Sequence, residues 1–115
     1  MRRGDVHWVD LDPARGAEAT KRRPAVIVSN DAANATVARL GRGVLTVVPL
    51  TSNTTRVFPF QVLVAAGTCG LRRDSKAQAE QVRSVAVERI GARLGALTGD
   101  HLDDLDAALR LHLGL

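Results

Sequence analysis

Apolar and polar positions alternate over the opening of the chain, with Val6 and Trp8 separated by polar neighbours, and this period of two predicts a first strand over about residues 5–10. A segment rich in small and charged residues follows from Asp12 to Arg22. It is long for a hairpin connection, and long loops often carry function. The apolar run Ala25-Val26-Ile27-Val28-Ser29 predicts a second strand, preceded by Pro24. Proline lacks an amide donor, so it fits at the first residue of a strand, which places Arg23 on the lip of the sheet. Asn30-Asp31 can cap a helix over about 32–40, with Val37 and Leu40 facing inward and Gly41 as its stop. Val44 to Leu50 is a buried type of strand, central until Pro49, where the ladder must break or reach an edge. Phe58 to Val64 predicts the next strand, and Ala66-Gly67 a turn.

The second half is less regular. Between Asp74 and Val82, Ser75, Ala77, Ala79 and Gln81 alternate with Lys76, Gln78 and Glu80, a composition that fits strand or helix. Ser84 to Arg89 reads as a single helical turn and Ala92 to Leu97 as a last short strand. Thr98 then caps a helix over about 99–113, with Asp100, Asp103 and Asp104 in its first turns, where negative charge complements the helix dipole. Leu102, Leu105 and Leu109 share one face of it and are core or dimer surface, while Asp106 and Arg110 form an i,i+4 pair on another. Without repeats or low-complexity segments, the pattern predicts an α+β fold: a small, strongly bent sheet or partly open barrel with a C-terminal helix.

At 115 residues, 45% of them hydrophobic and 24% charged, the chain has the size and composition of one folded domain with a single modest core. No apolar run is long enough to span a membrane and the basic N-terminus has no apolar stretch behind it, so a cytoplasmic location is expected. The net charge of +4 is unevenly distributed. Residues 1–93 hold fifteen Lys/Arg against eight Asp/Glu, whereas residues 94–115 hold one against four. A polyanion would bind the first part.

Candidate chemistry concentrates at two strand ends. Arg22-Arg23-Pro24 brings a guanidinium to a rigid strand start, where its planar fork suits phosphate and keeps its charge. Thr51, Ser52 and Asn53 place hydroxyls and an amide at the end of another strand. Metal chemistry is not expected: His7, His101 and His112 are scattered, and the last two are separated by about 16 Å along one helix. Cys69 has no second cysteine to pair with and reads as a packing residue. No histidine lies close in sequence to Thr51, Ser52 or Cys69 to serve as base for a protein nucleophile.

In order along the chain stand Arg3-Gly4-Asp5-Val6-His7-Trp8-Val9-Asp10-Leu11-Asp12-Pro13, Gly16-Ala17-Glu18, Arg22-Arg23-Pro24, Pro49-Leu50-Thr51-Ser52-Asn53, Phe58-Pro59-Phe60-Gln61-Val62 and Ala79-Glu80-Gln81-Val82-Arg83-Ser84. This series resembles the MazF/PemK family of toxin endoribonucleases over residues 3–113. The resemblance implies an SH3-like barrel that pairs as a homodimer, and a strand over 74–82. It implies metal-independent, sequence-selective cleavage of single-stranded RNA, chiefly mRNA, to 2′,3′-cyclic phosphate and 5′-hydroxyl ends. RNA supplies its own 2′-hydroxyl nucleophile, so the protein has to align it, move protons and stabilise charge on the phosphoryl oxygens. Arg23 and Thr51 match the family's catalytic pair, and Glu18 is a candidate base whose plain alternative is an ion pair with Lys21 or Arg22. Arginine stays protonated at physiological pH, so Arg23 is better suited to clamping the phosphate than to abstracting a proton.

Arg22, Ser52, Asn53, Glu80, Gln81 and Arg83, with the 12–22 loop, match positions that line the RNA groove. Only Trp8, Phe58 and Phe60 are aromatic, so base stacking is limited, and the two phenylalanines are expected in the core. The family also implies a cognate antitoxin with an acidic, disordered segment lying across the basic groove. His7, Ala17 and Ala19 depart from what relatives often carry, which bears on the cleavage motif. Two other functions fit the same barrel: a CcdB-like gyrase-inhibiting toxin, which needs no Arg23–Thr51 pair, and a non-catalytic nucleic-acid-binding barrel.

Overall fold

The computed structural model describes residues 1–115, and its frame is one antiparallel sheet. The strands are β1 (Asp5–Asp10), β2 (Arg22–Ile27), β3 (Val44–Thr51), β4 (Gln61–Val64), β5 (Ser75–Gln78), β6 (Arg83–Ala86) and β7 (Ile90–Ala96). They run in the order β4-β5-β3-β2-β1-β7, with β6 also paired to β3. No pairing joins β4 to β7, so the sheet bends without closing. Helix α1 (Asp31–Leu40) links β2 to β3, α2 (Gly99–Leu113) ends the chain, and short 3-10 turns occupy Ala79–Gln81 and Val87–Arg89.

The bend has its origin in β3. Its first half pairs with β6 from Val44 to Val47, and its last residues, Leu50 and Thr51, pair with β5. Pro49 falls between the two partners, paired on its other side with Ala25, so the missing amide coincides with the change of neighbour and the strand runs on to Thr51. Pro24 has a comparable place. It sits inside β2 opposite Trp8, not at the strand's first residue, and β2 gains its second neighbour only from Ala25 onward.

Apolar residues are buried on both faces of the sheet, so two clusters replace the single core expected. Val6, Val26, Val48 and Leu50 face Leu105 and Ala108 of α2; Val9, Ala25, Ile27 and Val47 form the other cluster, against which Val37 of α1 packs. Continuous apolar runs in β2 and β3 are what a strand covered on both sides requires. The helix caps are as the sequence indicates: Asn30 accepts from the Ala33 amide, Thr98 from the His101 amide, and Gly41 ends α1 in the left-handed region at φ 68°.

Several expectations need correction. Leu40 is exposed and the buried residue of α1 is Asn34, whose side chain bonds both the hydroxyl and the carbonyl of Ser29. Phe58 and Phe60 precede β4 and lie outside the core: Phe58 is exposed, the two rings stack at 5.3 Å, and Arg56 and Lys76 lie over the Phe58 ring. Residues 83–86 form a strand where a helical turn was expected, the turn being confined to 87–89. The ambiguous segment after Asp74 is a strand to Gln78 and then a 3-10 turn. Leu105 is buried, with Leu102 and Leu109 packed against the same cluster, so this stripe of α2 is core.

Candidate active site

The antiparallel register of β2 and β3 pairs Ala25 with Pro49, Val26 with Val48 and Ile27 with Val47. Carried two residues past the last pair, the same register sets Arg23 opposite Thr51. The ends of two core strands therefore bring together residues 28 positions apart, and both line an open cavity of about 510 Å³. Arg22, Ser52, Lys21 and Trp8 line it too, and its other side is formed by residues 70–73. No aspartate or glutamate belongs to the lining.

Local bonds prepare the two central side chains. Arg23 is half-buried and donates from Nε to the Thr20 carbonyl at 2.7 Å, which fixes the root of the guanidinium and leaves both terminal amino groups available. Thr51 Oγ1 accepts from the Asn53 amide at 3.2 Å, so its own proton remains free to be donated. Arg22 lies over the Trp8 ring at 4.9 Å, a cation–π contact that stiffens the cavity's outer edge.

The remaining candidates are elsewhere. Glu18 is exposed in the loop before β2, outside the lining, and its carboxylate accepts from the Arg15 amide at 2.8 Å; no ion pair joins it to Lys21 or Arg22. Asn53 is exposed beyond Thr51, its side chain accepting from the Thr55 amide. Gln81 reaches across to the same loop, donating to the Ala17 carbonyl and accepting from the Ala19 amide. Glu80 accepts from the Gln61 side chain, and Arg83 donates to the Leu11 carbonyl at 3.4 Å. None of these residues lines the cavity; Gln81 and Arg83 hold the segment that delivers Lys21, Arg22 and Arg23 to it.

Sequence reasoning missed Trp8, Arg72 and Arg73 as cavity residues, and singled out Lys21 only as part of the 12–22 loop expected to contact substrate. For the arginines a signal existed: two adjacent cations just after a glycine-rich turn. Lys21 has a positive φ of 67°, unusual for a side chain that is not glycine, and is held there by its amide on Asp12 and its carbonyl on the Leu11 amide.

Comparison with known proteins identifies the fold and the family. Over all 115 residues the chain is 62% identical to Endoribonuclease MazF9 of Mycobacterium tuberculosis, spanning 98% of that protein. It superposes on a crystal structure of MazF from Deinococcus radiodurans with a TM-score of 0.80 at 26% identity, covering 100% of this chain and 97% of that one. A mycobacterial endoribonuclease solved in complex with its cognate antitoxin gives a TM-score of 0.76 at 28% identity, covering 100% and 96%. The family model for the PemK-like, MazF-like toxin of type II toxin–antitoxin systems matches residues 2–113, and the chain belongs to that family.

Proposed function

We propose that this toxin is a metal-independent, sequence-selective endoribonuclease that cuts single-stranded RNA, chiefly mRNA, into 2′,3′-cyclic phosphate and 5′-hydroxyl ends. The observation that carries the proposal is the facing of Arg23 and Thr51 across adjoining strand ends in a basic cavity whose lining holds no carboxylate. In this scheme the substrate's 2′-hydroxyl attacks the adjacent phosphorus, the P–O5′ bond breaks as the cyclic phosphate forms, and the departing 5′-oxygen takes a proton from solvent to end as the 5′-hydroxyl. The free amino groups of Arg23 and the proton of Thr51 Oγ1 meet the charge that develops on the phosphoryl oxygens. Arg22 and Ser52 hold the neighbouring backbone. Glu18 takes the proton of the 2′-hydroxyl once its loop folds inward, exchanging the Arg15 amide for substrate. Gln81 and Arg83 act through the loop they hold, and Asn53 and Glu80 contact bases beyond the cavity.

The toxin's partner in this scheme is an antitoxin whose acidic, disordered segment covers the basic cavity, and its working form is a homodimer. Resemblance to a mycobacterial endoribonuclease solved with its cognate antitoxin supports the first. The distribution of charge, with the basic cavity on one side and the aspartates of α2 elsewhere, supports an acidic occupant.

The test is incubation of wild type and Arg23→Ala with a long unstructured RNA in EDTA, followed by mapping of 5′ ends. Discrete 5′-hydroxyl ends from wild type alone are expected, and Thr51→Ala should behave like Arg23→Ala, each losing about a hundredfold or more in turnover while retaining its fold. Equal turnover by wild type and both variants would remove the pair from the mechanism. RNA left intact by all three would direct attention to gyrase inhibition or plain nucleic-acid binding.

A further inference from the structure

The cavity's second wall has no part in the scheme above, yet it is built with care. Gly70 has φ +79°, and a Cβ there would lie 2.0 Å from the Leu94 carbonyl oxygen; a Cβ on Gly95 would lie 2.5 Å from that of Cys69. Backbone therefore rests directly on backbone, which only a pair of glycines permits. Leu71 is buried in the α2-facing core, the Ser75 hydroxyl donates to the Arg73 carbonyl, and Asp74 accepts from the Ala66 amide. Between these anchors, Arg72 and Arg73 are exposed and line the cavity. Neither forms an ion pair: the three in the molecule involve Arg3, His7 and Arg93. Lys21, Arg22 and Arg23 also have none, so five cations share one cavity without a compensating carboxylate in its lining. Such an arrangement repels itself in the free protein and is relieved by a polyanion that reaches both walls.

We propose that Arg72 and Arg73 form a second phosphate-binding subsite, gripping RNA backbone phosphates that flank the one held by Arg23 and Thr51. This deepens the nuclease reading and rests on it. Binding here is by charge and fork geometry to the backbone, so it contributes affinity and register without selecting a base.

The test measures binding of an unstructured, uncleavable 2′-O-methyl RNA of mixed sequence over a range of salt, alongside turnover of the cleavable RNA. Arg72→Ala and Arg73→Ala should each weaken binding about tenfold at low salt and reduce the slope of log K against log salt by about 0.7, the value for one single-strand phosphate contact. KM should rise with kcat kept within about twofold, and Arg72→Lys and Arg73→Lys should restore most of the affinity, an outcome that a merely structural role would not give. Affinity and salt slope equal to wild type in both alanine variants would overturn the subsite, whether or not the variants still bind a polyglutamate peptide less well than wild type. Wild type that leaves RNA uncut but shows the arginine-dependent slope would retain the subsite and remove the nuclease reading. Wild type that cuts RNA, with variants binding as it does, would do the reverse.

Discussion

Glu18 is the residue whose part in the proposed chemistry depends most on movement. In the structure its carboxylate is spent on the Arg15 amide, outside the cavity, whereas Arg23 and Thr51 already face each other. If the loop closes on substrate and Glu18 becomes the base, Glu18→Gln should lower turnover about a hundredfold and leave binding of uncleavable RNA unchanged. Turnover within twofold of wild type would exclude Glu18 as base. The contrast among candidates shows what sequence can carry at this scale. The strand ends that carry Arg23 and Thr51 were legible in apolar runs and their pairing came with the family resemblance; how the two ends meet is seen only in the register of β2 and β3. Glu80, Gln81 and Arg83 were expected on the substrate side, but polarity alone says nothing of direction, and Gln81 and Arg83 turn to internal carbonyls and amides. Arg72 and Arg73 were overlooked although two adjacent cations follow a turn with two glycines, because what brings that pair to the cavity is a glycine contact between distant segments.

That contact makes its own prediction for the elements. Gly70→Ala combines a left-handed backbone with a Cβ overlapping a carbonyl of β7, two separate sources of strain. It should destabilise the protein by about 3 kcal/mol or more, read as a lowered denaturation midpoint with unchanged m value. A midpoint within experimental error of wild type would show that the segment lifts away from β7 without cost. Elements whose limits rest on caps were read closely from sequence: α2 spans the expected residues 99–113, fixed by Thr98 and the left-handed Gly114. Elements whose limits rest on partners were not. The Phe58-Pro59-Phe60 segment has aromatic strand propensity but meets no neighbouring strand, so β4 begins only at Gln61. Conversely, Arg83–Ala86 is polar enough to pass for a turn, and becomes β6 because the first half of β3 offers an open edge. In both places tertiary pairing outweighs propensity.

At the scale of the whole molecule, the cationic cavity is distinct from a largely apolar concavity whose one charged lining residue is Asp104. The cations of the cavity lie where β2 and β3 end, while a second concavity between β4 and α2 is lined by Leu63, Leu111, Val62 and Ala107. Leu63 and Leu111 are each more than half exposed. Isolated surface leucines are ordinary, but several grouped around one concavity mark an association surface. The apolar stripe that the sequence offered as either core or dimer surface is core, and we infer that this outer set, on another flank of the same helix, meets the second copy of the proposed homodimer. The proposed homodimer would then leave the basic cavity open to RNA. Sedimentation of wild type should accordingly give a dimer at micromolar concentration. Leu63→Asp combined with Leu111→Asp should give a monomer with unchanged circular dichroism, since both side chains leave water only on association. A double variant that still sediments as a dimer would place the interface on another face, and a wild type that remains monomeric under the same conditions would remove the homodimer from the proposal.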